Sequence, residues 1–575
     1  MTSDSPAAAL QKRWVLPSGL PDSLAESLAA FSPIERQILH RRGIRQPSEA
    51  QAFLEPGQGT LEDPFALLGM QEAVERVRRA LHSGERMGVY GDYDVDGVTG
   101  VALLLEALRD LGGDAIPYIP NRFEEGYGLG REGIDALRLQ GVGLVITVDC
   151  GVRSVVEVEH ARATGVEVIV TDHHQPAESL PPALAVINPK QEGDHSREKN
   201  LAGVGLAYKL ALGIAQVMKQ PAAESALELA AIGTIADMAP LAGENRTIVA
   251  VGLKRLARTA RPGMQALAHV SRLQLDQVRA DSIAFIIAPR LNAAGRLDTA
   301  MRALQSLMTQ DPSEAEQLAS ELDHLNRERQ RLTRETVDLV RELAFDGVSA
   351  PQLFFASSPD FNEGVIGLAA ARLVDEFYRP AIVAALRGDL ARGSARSIPG
   401  FHITQALDAC SDLTIRHGGH ESAAGFTLRA RDLQALEERL RRLAGESLTA
   451  EARWPQVTID ALVDFRDLTG SLLAFTERLE PCGQGNPPPL FASRGVSIVK
   501  RKAVGVDAAH LKLTLSHHGR IMDAIAFRQG RLAATLPERV DVAYQLGRNR
   551  YLGVETMQLN VQDIRPADES GSLSV

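Results

Sequence analysis

Between Arg86 and Gly100 the chain reads RMGVYGDYDVDGVTG, and this stretch limits the available folds more than any other. Three carboxylates, Asp92, Asp94 and Asp96, occupy alternate positions directly after a short apolar run. A strand running into Gly97, then a helical pattern through Val101, Leu104, Leu105 and Leu108, puts them at the strand's C-terminal end. In open α/β sheets that is where ligands bind. Carboxylates this close repel one another unless cations or protons intervene, so the spacing asks for metal. An EF-hand loop also begins D-x-D-x-D-G, but it needs a preceding helix and a Glu at its twelfth position. Here a strand-like run precedes and Leu103 stands twelfth, so the calcium loop is rejected. A solvated acidic turn is the bland alternative.

From about residue 71 the periodicity is α/β: helix 71–82, strand 87–91, helix 98–111, strand 115–119, helix 131–139, strand 143–148, helix 153–163, strand 166–171 and an apolar segment from Ala185 to Ile187. Such alternation predicts a parallel, doubly wound sheet. Two further strands deliver chemistry at the same edge: LVITVD ends in Asp149, and VEVIVTD ends in Asp172 with His173 and His174 next. A lone His is more often a satisfied surface or core residue than a ligand. Two adjacent ones after an Asp, aligned with four other strand-end carboxylates, read as one constellation. Residues 201–260 are mostly helical, and LELAAIGTIADMAP places Asp237 at the end of an apolar helix. A half-buried Asp there needs a partner. It is either the N-cap of the next helix or a sixth acidic ligand.

Residues 1–70 read as a helical extension. APRLNAAGRLD, with Arg290, Asn292, Gly295 and Arg296, reads as a loop whose small residues let backbone approach a ligand. Pro312–Leu343 is a long charged helix with a capping box at Ser313 and Glu316. Its stripe of Leu318, Leu322, Leu325, Leu332, Leu339 and Leu343 suits a solvated connector with one packed face. A second α/β unit follows, carrying GSARS (Gly393 to Ser397) and HGGHESAAGF (His417 to Phe426). Arg and Ser in a tight loop suit an anion; an ordinary polar turn is the alternative. After Pro455 come strand-like runs at 496–499, 511–515, 521–527, 540–546 and 557–561, led by the rigid PCGQGNPPPLF loop. Many short strands predict a small barrel.

At 575 residues the chain is too long for one core and is expected to form three or four domains. Its net charge of −11 counts weakly against a polyanionic substrate, because phosphate contacts need only a local basic lining. MTSDSPAAALQKRW lacks a secretory h-region, and no apolar run is long enough to span a membrane. Cys150, Cys410 and Cys482 are too scattered for a disulfide framework or zinc site. A cytoplasmic protein with no membrane partner is expected.

With DYDVDG, VDCG, TDHH and the Asp237 segment in that order, the chain resembles the DHH phosphoesterase superfamily. RLNAAGR, GSARS, GGH-x-x-AAG and the GQGNP loop narrow the resemblance to its RecJ branch of single-strand-specific exonucleases, over about residues 71–566. The resemblance implies a DHH catalytic domain at 71–305, a connector helix at 306–345, a DHH-associated domain at 346–450 closing a narrow cleft, and an OB-fold at 451–566, with 1–70 an extension and 567–575 a polar tail. It implies that Asp94, Asp96, Asp149, His173 and Asp237 hold two divalent ions, manganese first and magnesium second. Asp92, Asp172 and His174 would support those ligands or contact phosphate. Arg122, Arg296, Ser394 and Arg396 would grip the 5′ end, with Arg290, Asn292, Gly418, Gly419 and His420 in the same substrate-binding set. One departure is Asn362 in Phe361–Val365, where relatives often have His.

The residue types fit this chemistry. Two cations about 3.5–4 Å apart can clamp a scissile phosphate, activate water and stabilise the leaving 3′-oxygen. Carboxylates with imidazoles suit manganese, and no Ser or Cys nucleophile is required. Lys500, Arg501 and Lys502 would meet phosphates in the OB-fold groove, or form a solvated strand face. The expected activity is a monomeric 5′→3′ exonuclease on single-stranded DNA that releases nucleoside 5′-monophosphates in repair and recombination, beside a helicase and a single-strand-binding protein. Alternatives are a DHH phosphodiesterase on short oligonucleotides, cyclic dinucleotides or polyphosphate, and a non-catalytic DNA-binding replication component.

Overall fold

The computed structural model describes residues 12–21, 26–57, 61–221, 224–344, 351–449, 451–551 and 554–567. Residues 1–11 of the expected extension and 568–575 of the expected tail lie outside these. The described residues fall into two compact units, a larger one within Leu16–Asp323 and Ile459–Val575 and a smaller one within Met1–Val15 and His324–Thr458.

The larger unit holds a five-stranded parallel sheet in the order Ala115–Tyr118, Met87–Gly91, Leu144–Val148, Glu167–Thr171, Ala185–Ile187. The strands MGVYG and LVITV are buried at every position, as expected when helices cover both faces of a parallel sheet. Pairing continues past the strand ends: Asp92 N donates to Val148 O (3.3 Å), Asp149 N to Thr171 O (3.0 Å) and Asp172 N to Ile187 O (3.2 Å). Three aspartates therefore stand in a row along one edge. Gly203–Met218, Ala226–Ala236 and Gly243–Leu256 supply the helices predicted for 201–260.

The same unit contains the C-terminal barrel. Its strands Phe491–Val504, His510–His517, Arg520–Ala526, Arg539–Tyr551 and Val554–Pro566 contain the predicted runs almost entirely, and Phe491–Val504 also pairs with Arg539–Tyr551 to close the sheet on itself. Closure removes exposed edges. Two N-terminal helices, Pro33–Arg41 and Pro47–Leu54, bury Ile38, Leu39 and Leu54 in one core with Phe465, Leu468 and Phe491. The extension is thus part of the barrel's hydrophobic core, and it is not purely helical. Arg13–Val15 forms a parallel pair with Gln456–Thr458 in the smaller unit.

That smaller unit is built on a mixed sheet ordered Thr414–Gly419, Ala423–Arg429, Leu390–Arg396, Ala381–Arg387, Phe354–Ser358, with only the last pair parallel. The connector Pro312–Ala344 enters it beyond Asp323, where Val337 and Val340 pack with Phe354, Ile366 and Leu373.

Several local expectations change. The first strand ends at Gly91 and the helix begins at Val95, so Asp94 is its N-cap and Asp96 lies in its first turn. APRLNAAGRL is a helix, Ala288–Leu297: its Ala, Leu and Arg residues favour helix, and Pro289 is tolerated in the first turn. Gly295 is needed because a Cβ would sit 2.6 Å from Tyr93 O, so the close approach is to the protein's own backbone. GSARS lies mainly in a strand rather than a tight loop. The connector is capped by Asp311, whose Oδ1 accepts from Ser313 N (2.9 Å), so Ser313 is already inside the helix. Leu343 is exposed, and Val337 and Val340 continue the packed stripe instead.

Candidate active site

The eight acidic and histidine residues expected at the centre do converge. Asp94 Oδ1 caps its own helix by accepting from Asp96 N (2.9 Å) and Gly97 N (3.2 Å). Asp96 is fully buried and accepts from Gly203 N and Val204 N, both at 2.7 Å, at the start of the Gly203–Met218 helix. Asp237 caps the C-terminus of Ala226–Ala236 and is not the N-cap of the next helix, a position held by Ala242. A carboxylate at a helix C-terminus opposes the helix dipole, so this placement calls for a cation.

His173 is the hub. Its Nε2 lies 3.0 Å from Asp149 Oδ1 and 3.9 Å from both Asp96 Oδ2 and Asp237 Oδ1. Three sets of ligand atoms each fall within 4.8 Å of one another: Asp96, His173 and Asp237; Asp92, Asp94 and Asp149; Asp149, His173 and His174. Asp149 Oδ1 and His173 Nε2, though 3.0 Å apart, are not aligned for a hydrogen bond, and they and Asp92 Oδ1 are buried without a hydrogen-bond partner among the described residues. Such orphaned atoms are costly unless something binds them.

The electrostatics agree. Burial, reinforced by neighbouring carboxylates, pushes Asp92, Asp96 and Asp149 well above the usual carboxylate range. Burial and then Asp94 raise Asp237 to about 7. Burial lowers His173 to about 3, which leaves its ring neutral with a free lone pair. Asp172 differs: burial would raise it, but His174 and two backbone amides outweigh that and hold it low. Its oxygens accept from His174 N (3.0 Å) and Val152 N (2.9 Å) and contact His174 Nδ1 (2.8 Å). Asp172 therefore orients His174, the role carboxylates commonly take behind an imidazole ligand. An oxygen-rich set with one or two imidazoles fits a divalent cation such as manganese or magnesium. Asp149 (φ 61°) and Met238 (φ 61°) adopt left-handed backbone beside this cluster, strain of the kind that gathers at functional sites.

Around it stand residues expected from sequence and others that were not. The Arg122 guanidinium lies 4.8 Å from the Tyr93 ring centroid, and its charge partly offsets the rise at Asp92. Arg296 likewise acts on Tyr93, whose phenol is raised to about 12 mainly by burial. Asn292 Oδ1 accepts from Val95 N (3.2 Å), fixing the acidic loop. Arg290 is engaged by Asp323 at 3.0 Å. Tyr127, whose hydroxyl donates to Asp149 O (3.3 Å) and lies 3.2 Å from His174 Nδ1, was not foreseen. Nor was Lys190, whose Nζ donates to His173 O (2.6 Å). Both come from irregular segments where only tertiary proximity gives them a role.

In the smaller unit, Ser394, Gly425 and Gly418 form one cross-strand row, flanked by Ala395, Ala424 and Gly419. Arg396 donates to Ser394 Oγ (3.1 Å), and His420 is exposed just past the strand end. Asn362 Oδ1 accepts from Gly364 N (2.8 Å), closing the turn into Ile366–Phe377.

Comparison with known proteins matches this arrangement. Residues 86–234 fit the DHH family N-terminal domain, 350–446 the DHHA1 domain and 459–563 the RecJ OB domain. The chain is 36% identical over 545 residues to the single-stranded-DNA-specific exonuclease RecJ of Bacillus subtilis, covering 94% of this chain and 69% of that protein. It is 34% identical to the Escherichia coli protein of the same name, covering 95% and 98%. The crystal structure of RecJ with Mn2+ from Thermus thermophilus superposes with a TM-score of 0.85 at 32% identity, covering 97% of this chain and 80% of that one. The chain belongs to the RecJ family of DHH proteins.

Proposed function

We propose that this chain is a metal-dependent exonuclease that degrades single-stranded DNA from the 5′ end and releases nucleoside 5′-monophosphates during repair and recombination. The observation that carries the reading is the buried convergence of Asp92, Asp94, Asp96, Asp149, His173 and Asp237 around atoms with no partner. Family membership supports it, since the named relatives are single-stranded-DNA-specific exonucleases.

Two divalent ions are assigned, manganese before magnesium, to Asp94, Asp96, Asp149, His173 and Asp237, with Asp92 beside Asp94 and Asp149 supporting them. Bound there, such ions supply Lewis-acid polarisation of the scissile phosphate and acidification of water. The chain's own residues do the rest. Asp172 fixes the His174 ring, whose side chain is 38% exposed and can donate to a phosphate oxygen. Arg122 and Arg296 bring positive charge beside Tyr93 and suit the next phosphates. Ser394 and Arg396, with the glycine strip of Gly418 and Gly419 and with His420, are assigned to the 5′-terminal phosphate. Exposed Lys500 and Lys502 on the barrel suit the trailing strand.

We further propose a monomer working in the cytoplasm beside a helicase and a single-strand-binding protein; the need for an unwound strand supports the helicase. No helix among the described residues is long and apolar enough to cross a membrane.

The test uses purified protein with manganese and matched 5′- and 3′-labelled oligonucleotides, single-stranded and blunt duplex, together with cyclic dinucleotides. Early release of the 5′ label as mononucleotide from single strands alone is expected. Early release of the 3′ label, or turnover of cyclic dinucleotides alone, overturns the reading. DNA binding without cleavage at saturating manganese would make the chain a binding component.

A further inference from the structure

We infer that the Pro481–Pro487 loop of the C-terminal domain is a positioning element for Asp237; this rests on the reading of Asp237 as a metal ligand. Nothing in the helix that carries Asp237 favours a carboxylate where it sits. It closes Ala226–Ala236 at the negative end of the dipole, and Met238 follows at φ 61° with its side chain exposed. The placement must be held from outside the helix.

The Gly/Pro loop supplies that hold. Leu241 N donates to Gln484 O at 2.7 Å. A Cβ on Gly485 would lie 3.1 Å from Pro240 Cβ, and one on Gly483 would lie 2.8 Å from Leu241 Cδ1. The loop backbone therefore rests directly on Pro240–Leu241, three to four residues past the ligand.

The loop is itself rigidly pinned. Gly483 and Asn486 exchange backbone hydrogen bonds at 2.9 and 3.2 Å. Buried Asn486 donates to Leu479 O (2.8 Å) and Pro481 O (2.9 Å) and accepts from Arg42 Nε (2.9 Å). Arg246, buried with its guanidinium 3.9 Å from the Phe53 ring centroid, donates to Pro481 O and Glu480 O, both at 2.9 Å. A chain of fixed contacts thus runs from the N-terminal helices through the loop to the segment bearing Asp237. The C-terminal domain is part of the metal site's support as well as a DNA-binding module.

The experiment titrates manganese into the full-length protein, following free ion by electron paramagnetic resonance, for wild type, Asp237→Asn, Gly485→Val and Asn486→Ala. Asp237→Asn identifies the class of manganese that this residue holds. That class should weaken at least about tenfold in both loop variants, as outer-shell changes commonly do, while the remaining class is unchanged. Their kcat should fall at low manganese and recover at high manganese, with KM for DNA unmoved. Wild-type affinity in both loop variants overturns the inference, as does equal weakening of every class, which would mark general damage. Retention of all manganese by Asp237→Asn overturns the ligand assignment and the inference with it. Should circular dichroism show Gly485→Val or Asn486→Ala misfolded, Gly485→Ala, which adds one methyl against Pro240, decides by the same criteria.

Discussion

Asp96 does two jobs, and replacing it with Ala should separate them. Its oxygens each accept one backbone amide, from Gly203 and Val204 at 2.7 Å, and the helix's own N-cap residue, Ala202, makes no side-chain capping bond. Asp96→Ala leaves two buried N–H groups without acceptors, at about 1–3 kcal/mol each, or about 2–6 kcal/mol together. Even the lower figure corresponds to a roughly 30-fold rise in local opening. Hydrogen exchange read by mass spectrometry on peptides spanning 201–208 is the direct assay, in EDTA so that metal does not contribute. Asp237→Asn is the comparator: like Asp96→Ala it should lose cleavage by several orders of magnitude, yet it should keep protection at Gly203 and Val204. Unchanged exchange at those amides in Asp96→Ala would refute the reasoning that this carboxylate anchors the helix. Near-wild-type cleavage would refute its place in the metal site.

Three further outcomes are expected. With metal removed, Asp237 keeps its proton up to about 7 in the folded state, against an ordinary aspartate value of 3.8; the folded state then binds the extra proton, so this group's stabilisation is present at low pH and is lost as pH rises through about 7. Manganese binding should correspondingly release a proton and tighten as pH rises from about 5 to about 7, and calorimetry in buffers of different ionisation enthalpy that detects no proton release would refute this. Arg396→Ala should slow single-turnover cleavage of 5′-phosphorylated strands by about ten- to a hundredfold, from the roughly 1.5–3 kcal/mol of one charge-assisted contact. Strands with a 5′-hydroxyl should suffer less, and an equal loss on both would move end-reading elsewhere. Replacing Lys500 and Lys502 together with Ala should reduce the slope of log affinity against log salt by about 1.4, at about 0.7 per phosphate contact on a single strand, and an unmoved slope would leave them as a solvated face.

The parallel sheet and its acidic edge were legible because periodicity and strand-end chemistry are local. Asp92, Asp149 and Asp172 each follow a short apolar run, and the pairing register brings those ends level. The helix Ala288–Leu297 was hidden because Asn292 and Gly295 carry local loop signals, whereas the position of Gly295 is set by Tyr93, far away in sequence. GSARS looked like a turn for the same reason, and its small residues instead line a sheet. Whether Asp237 capped a helix start or faced the acids depended on which end of which helix it occupied, and sequence left that open. Tyr127 and Lys190 carry no motif at all; their roles arise from distances to Asp149 and His173.

The shared core of the N-terminal helices and the C-terminal barrel has a consequence for synthesis. Ile38, Leu39 and Leu54 leave the ribosome long before Phe465, Leu468 and Phe491, the residues that cover them. At about 5–20 residues per second, the roughly 400 residues in between occupy on the order of 20–80 s. Throughout that interval the nascent chain displays an apolar surface whose partner does not yet exist. The five strands of the parallel sheet, all between Met87 and Ile187, have by then long been synthesised. The Pro481–Pro487 loop that rests on Pro240–Leu241 also emerges late, so a loop that positions Asp237, as inferred above, would delay full metal affinity until near the end of translation.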